Sequence, residues 1–154
     1  MSDIRDKFEE LRGAYPAEMG ASLVLPLLHF AQQQRGLVTK DDAATIADCT
    51  GVPRIQVTEA VTWYTMFRRQ PVGRHVIKVC RNISCSLRGA ERVVEHLRKR
   101  LGVEVGETSA DGRCTLLTVE CLASCGTAPA MQIDDTYHEN LDEAAVDRIL
   151  AELT

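Results

Sequence analysis

Four of the six cysteines in this 154-residue chain form two close pairs, and each pair directly follows a short run with strand composition. Cys80 and Cys85 are spaced C-x4-C at the end of HVIKVC (75–80). Cys121 and Cys125 are spaced C-x3-C after CTLLTVE (114–120). Runs this short and this rich in β-branched residues read as strands. If the two strands are neighbours in one sheet, both pairs emerge at the same edge and four thiolates meet on two loops. Two thiolates per iron is what a bridged two-iron, two-sulfide cluster requires. The loops also offer backbone N–H groups, whose hydrogen bonds to the sulfurs favour the extra electron and tune the potential. Gly126, after the last cysteine, allows the backbone to pass close without a Cβ.

From spacing alone, a zinc ion held by four cysteines is the main alternative, tetrahedral and redox-silent. Zinc ribbons more often use two-residue gaps within a pair. The spacing also differs from the plant-type ferredoxin pattern C-x4-C-x2-C. Thioredoxin-style thiol exchange is disfavoured because no C-x-x-C occurs. Cys49 and Cys114 lie outside the pairs and read as small core hydrophobes. His29, His75, His96 and His138 are scattered without ligand spacing. No Gly-rich phosphate loop follows a strand, and no nucleophile–base signature appears. The chain therefore reads as a carrier that relies on another subunit for hydride chemistry.

Composition narrows the class further. With 45% hydrophobic and 26% charged residues the chain is in the globular range, and a net charge of −4 gives nucleic-acid binding no support. The N-terminus lacks the blocks of a signal peptide. The longest apolar stretch, 23–28, is far too short to span a bilayer. The expectation is a cytoplasmic protein without membrane insertion, where six cysteines are poor candidates for structural disulfides.

The pattern changes near residues 68–75. Before it, four helices are predicted: Ile4, Phe8 and Leu11 behind a Ser2/Asp3 cap; Leu23, Leu27, Phe30 and Ala31 up to Gly36, with Pro26 in the first turn; a third from Thr39 through Cys49, stopped by Gly51; and a fourth opened by Pro53 and running to about Phe67. Residues 68–74 read as a linker. After it come a strand (75–80), a helix capped by Ser86 with Val93, Val94, Leu97 and Leu101, and a polar loop (104–112). Strands at 114–120 and 130–133 follow, then a helix from Asp142 on which Ala145, Ile149 and Leu153 share a face. The fold class is α/β: a helical domain at 1–70, then a cysteine-bearing domain of thioredoxin type with a mixed sheet at 71–154. Residues 81–100 carry a net +4 and residues 133–154 a net −6, read as two solvated helix faces or as docking polarity.

Several stretches together are more specific than the cysteine spacing: VTWYTMFRRQPVGRHVIKVC (61–80), Cys85, GETSADGRCTLLTVECLASCG (106–126), TAPAMQID (127–134) and LLHFAQQQRGLV (27–38). On these the chain resembles the thioredoxin-like 2Fe–2S subunit of NADH:quinone oxidoreductase, the E subunit of bacterial complex I. The resemblance favours the cluster over zinc. It implies Cys80, Cys85, Cys121 and Cys125 as ligands of one 2Fe–2S cluster. It also implies a peripheral place in a larger complex beside a flavin-containing, NADH-binding subunit, which holds the FMN and NADH. The cluster would exchange single electrons with that flavin. Close relatives serve NAD-linked formate dehydrogenases and bidirectional hydrogenases as the equivalent diaphorase subunit. Two positions depart from the family's habit, Cys114 where an aromatic is usual and Ser124 where glycine is frequent. A Ser124 hydroxyl is expected to reach a cluster sulfur. Trp63, Tyr64, Met66 and Phe67 are candidates for docking on the partner, with core packing the alternative for Trp63 and Phe67.

Overall fold

Four amphipathic segments at the start of the chain form helices, each with an identifiable start and stop: α1 (Ile4–Arg12), α2 (Val24–Arg35), α3 (Lys40–Thr50) and α4 (Arg54–Trp63). The computed structural model describes residues 3–16 and 18–153. It divides into two compact units, one ending at Pro71 and one beginning at Val72. Asp3 caps α1, its N–H donating to the Asp6 carboxylate at 3.3 Å. Ser2, expected to share that cap, lies outside the described residues. A single 3-10 turn, Gly20–Leu23, leads into α2. Pro26 does fall in the first turn of α2, where its missing N–H costs no helical bond. Thr39 caps α3 reciprocally with Asp42: the Asp42 N–H donates to Thr39 Oγ1 (3.0 Å), and the Thr39 N–H donates to Asp42 Oδ2 (2.9 Å).

The fourth helix is shorter than its periodicity predicts, ending at Trp63 rather than near Phe67. Gln32 of α2 explains the difference. Its side-chain amide donates to the Met66 carbonyl (2.9 Å) and accepts from the Arg68 N–H (2.6 Å). Those bonds hold residues 64–68 in a turn that drops Phe67 into the core, at 7% exposure. Leu27, Leu28, Ile46 and Val57 are fully buried there. Each contributes about 1.5–3 kcal/mol relative to an exposed side chain. The same turn leaves Trp63 82% exposed, so the core reading holds for Phe67 and fails for Trp63. Cys49 is only half-buried and outside the core, its sulfur 4.0 Å from the Arg5 guanidinium.

The second unit is built on a mixed sheet of β1 (His75–Cys80), β2 (Cys114–Val119), β3 (Met131–Ile133) and β4 (Thr136–His138), in the order β2-β1-β3-β4. β1 and β2 are parallel; β3 pairs antiparallel with β1 and with β4. The mixed α/β arrangement expected from sequence is present. β4 went unpredicted because it is three residues long, edge-placed and largely exposed. Its turn is locked by Asp134, which accepts from the Val76 N–H (2.9 Å) and contacts the His75 ring (2.8 Å). The helix predicted from Ser86 is two helices, α5 (Ile83–Leu87) and α6 (Ala90–Leu101). They are parted by Gly89 at φ 94°, a conformation that glycine adopts without steric cost. Asn82, not Ser86, caps α5.

Val93 and Leu97 of α6 pack with Ile77, Val79, Leu116 and Met131 of the sheet and with Val146 and Leu150 of α7 (Glu143–Glu152). The buried face of α7 is therefore centred on Val146 and Leu150, with Ala145, Ile149 and Leu153 at its flank. Cys114 is buried in this core, as expected. The basic and acidic runs partly neutralise one another across α6 and α7: Asp147 meets the His96 ring (2.8 Å) and Arg100 Nε (2.9 Å). Among the described residues, no helix is long and apolar enough to cross a membrane.

Candidate metal centre

Parallel pairing of β1 with β2 sets the site. Cys80, the last residue of β1, is the Cα partner of Val119, the last of β2. Both chains thus leave the sheet at one level. The ladder continues one bond further, with the Arg81 N–H donating to the Val119 carbonyl at 3.0 Å. The Arg81 side chain then reaches Glu120, Nε to Oε1 at 3.0 Å, tying the residue after Cys80 to the residue before Cys121.

Each pair is closed by a tight local turn. After Cys80, Asn82 accepts the Ile83 N–H (2.9 Å) and starts α5, while Ser86 Oγ donates to the Arg81 carbonyl (2.9 Å). One helical turn carries Cys85 back beside Cys80, Ala90, Ala128 and Ala130 in a small apolar cluster. After Cys121, Ala123 adopts φ 58°, unusual for a residue with a Cβ, and its N–H donates to Cys121 Sγ at 3.3 Å. Cys125 then opens a 3-10 turn, Cys125–Thr127. Cys80 and Cys85 are buried, whereas Cys121 and Cys125 are exposed, so the site has one closed and one open side.

The thiols sense one another. Burial pushes Cys80 up, but hydrogen bonds with the Asn82 backbone, the Cys85 thiol, the Leu122 backbone and the Cys121 thiol outweigh it and leave Cys80 below the ordinary thiol range. Cys85 is held above that range, first by burial and then by Cys80, with the charge of Cys125 adding to it. The two pairs follow the ends of two neighbouring strands, at one end of the sheet. Among the described residues, no three or more His, Cys, Asp or Glu side chains are arranged to hold a single ion. A two-iron cluster asks for only two thiolates per iron, and two soft-sulfur pairs with N–H donors in their turns fit that demand.

Ser124 differs from expectation, and Gly126 is not required by the protein's own packing. Ser124 Oγ donates to the Glu139 carboxylate and also lies 3.0 Å from Thr127 Oγ1, so its hydrogen bond is spent away from the cysteines. A Cβ on Gly126 would meet no protein atom within 4 Å, so packing of the chain itself does not demand glycine there. Glu139, Asn82 and the Arg81–Glu120 pair were not found by sequence reasoning. Only Asn82, a cap residue ahead of an apolar position, carries a local signal that could have been read.

Comparison with known proteins is consistent with this geometry. The family model for thioredoxin-like 2Fe–2S ferredoxins matches residues 8–154. The chain is 41% identical over 147 residues to the E 2 subunit of NADH-quinone oxidoreductase from Rhizobium meliloti, covering 96% of this chain and 86% of that protein. It is 42% identical over 123 residues to the E subunit of the NADH-quinone oxidoreductase of Pseudomonas aeruginosa, covering 80% and 74%. Among solved structures, a chain of an NAD+-reducing NiFe-hydrogenase in the H2-reduced state superposes with a TM-score of 0.73 at 21% identity. That match covers 85% of this chain and 22% of the other, and at that identity it is a likeness of fold.

Proposed function

The chain belongs to the thioredoxin-like 2Fe–2S ferredoxin family, and from that premise we propose that it is the electron-transfer subunit of an NADH–quinone oxidoreductase, with Cys80, Cys85, Cys121 and Cys125 as its ligands. The observation that carries the reading is the convergence of two cysteine pairs at the ends of neighbouring parallel strands. A 2Fe–2S cluster, when bound, supplies one-electron chemistry. The residues of this chain do the rest. Cys80 and Cys85 form the inner, water-excluded side, and Cys121 and Cys125 the outer side that a partner can approach. N–H groups of Asn82, Leu122 and Ala123 in the two turns face sulfur and stabilise negative charge on it.

The partner in this reading is the flavin-containing, NADH-oxidising subunit, which binds FMN and NADH and passes single electrons to this chain. Two exposed apolar features support docking. On α5, the helix that carries Cys85, Ile83 and Leu87 are 74% and 83% exposed. On the helical unit, Trp63 stands out with Ile55, Tyr64 and Met66. Large exposed apolar side chains on a small protein are typical of binding surfaces. The place of the chain is then peripheral, on the cytoplasmic side of the complex, without membrane insertion of its own.

The test is an EPR spectrum of dithionite-reduced protein prepared without oxygen, with iron and acid-labile sulfide assayed on the same sample. A spin-one-half signal with two iron and two sulfide per chain is the expected result. One zinc per chain, no sulfide and no signal would make this a structural metal module instead.

A further inference from the structure

We propose that Glu139 is a positioning residue for the Cys121–Cys125 turn, acting through Ser124 and Thr127, and that its charge makes the bound cluster harder to reduce. The inference rests on the ligand assignment proposed above. Glu139 directly follows β4, the edge strand on the far side of the sheet from β2. Its Oε1 accepts from Thr127 Oγ1 at 2.6 Å and from Ser124 Oγ. The adjoining backbone adds two bonds: the Asn140 N–H donates to the Thr127 carbonyl (2.7 Å), and the Leu141 N–H donates to the Pro129 carbonyl (3.1 Å). The segment 139–141 is thereby stapled along the chain that follows Cys125.

The turn needs such a brace. Ala123 has left-handed backbone, which a residue with a Cβ holds only when its surroundings impose it. Ser124 is the next residue, and its hydroxyl is anchored by a carboxylate, the stronger class of acceptor. A hydroxyl has one proton to donate, so Glu139 also decides where the Ser124 and Thr127 hydroxyls point. Both are turned toward the carboxylate. The proposed function gives this triad no role of its own, although Ser124 and Thr127 flank Cys125 at the two ends of its 3-10 turn.

Two consequences separate position from charge. Removing the carboxylate frees the turn, so iron is lost more easily. Removing only the charge leaves an amide oxygen to accept a hydroxyl, so the turn is kept. In both cases an electron added nearby meets one negative charge fewer, and reduction becomes easier. Glu139 is exposed, so solvent screens the charge effect and it is the smaller of the two.

The experiment compares wild type, Glu139→Gln and Glu139→Ala, with Glu152→Gln as an exposed acid remote from the turn. Iron and sulfide are first counted per chain in wild type. Iron release to a chelator, the midpoint potential and the reduced EPR line shape are then measured for all four. We expect Glu139→Ala to lose iron about threefold to tenfold faster than wild type and to show an altered line shape. Glu139→Gln should hold iron nearly as well as wild type, and both should have raised potentials. Wild-type release rates, line shape and potentials in both variants would overturn the proposal, as would an equal potential shift in Glu152→Gln. A wild type without iron and sulfide would instead defeat the ligand assignment, before any variant is compared.

Discussion

Cys80 and Val119 are Cα partners at the ends of parallel β1 and β2, so the peptide that leaves Cys80 runs beside the peptide that enters Cys121. That one register brings together cysteines about forty residues apart in sequence. Had β1 and β2 been antiparallel, the two pairs would have emerged at opposite ends of the sheet.

Substitution should separate the proposed ligands from the other thiols. Cys85→Ser and Cys121→Ser should weaken or abolish the cluster, since a hydroxyl is the poorer ligand for this iron. Iron and acid-labile sulfide per chain check it. Cys114→Ser should keep full iron content, because Cys114 is buried in the sheet core away from the turns. Its cost is stability, about 1–3 kcal/mol for a buried hydroxyl without a partner.

Gly73 is required by close approach. A Cβ there would lie 2.9 Å from the backbone of Cys114, which cannot yield as a side chain would. The Gly73 N–H also donates to buried Thr115 Oγ1 at 2.7 Å. Gly73→Ala should destabilise the second unit by about 1–3 kcal/mol, read from urea unfolding. Gly126→Ala, with open space around the added methyl, should leave unfolding of the cluster-free protein unchanged.

Stability of the helical unit should fall in acid. Burial pushes Asp42 up, but the Thr39 N–H and hydroxyl and the Arg35 guanidinium outweigh it, leaving its pKa below the usual carboxylate value of 3.8. A depressed folded pKa stabilises above the unfolded value of about 3.9 and is lost as pH falls through the folded value. Asp42→Asn should therefore remove part of the stability difference between pH 7 and pH 3, measured by thermal unfolding. Thr39→Ala, which removes the cap itself, should cost about 1 kcal/mol at neutral pH.

Trp63→Ala should leave the melting temperature almost unchanged, because the indole is 82% exposed and contributes little to the core. It should weaken association with the proposed flavin-containing partner about tenfold or more, as expected of a tryptophan that becomes a buried anchor at an interface. Phe67→Ala should do the reverse, lowering the melting temperature through a core cavity. Equal affinity of wild type and Trp63→Ala in calorimetry would remove Trp63 from the interface.

The helix starts were legible wherever a cap stood next to a periodic apolar stripe, as at Asp3, Thr39 and Asp142. Strands β1 and β2 and the spacing of the two cysteine pairs were legible because short β-branched runs and close pairing are local signals. Elements that depend on distant bonds were not. The end of α4 is decided by Gln32, more than thirty residues away in sequence. The break between α5 and α6 was readable in principle from Gly89, but Ser86 offered a competing cap. β4 exists because β3 presents an unpaired edge, which no three-residue window reveals.

The sequence by itself determined the types of element, the cores they could build and the thiol chemistry available, since each follows from residue type and spacing along a few turns of chain. Only the tertiary structure decided that the strands run parallel in register at Cys80 and Val119, that Trp63 faces outward while Phe67 is buried, and that Glu139 closes on Ser124 and Thr127. Those outcomes depend on which backbone and side-chain groups satisfy one another across long separations, and that competition is settled only when the whole chain is packed.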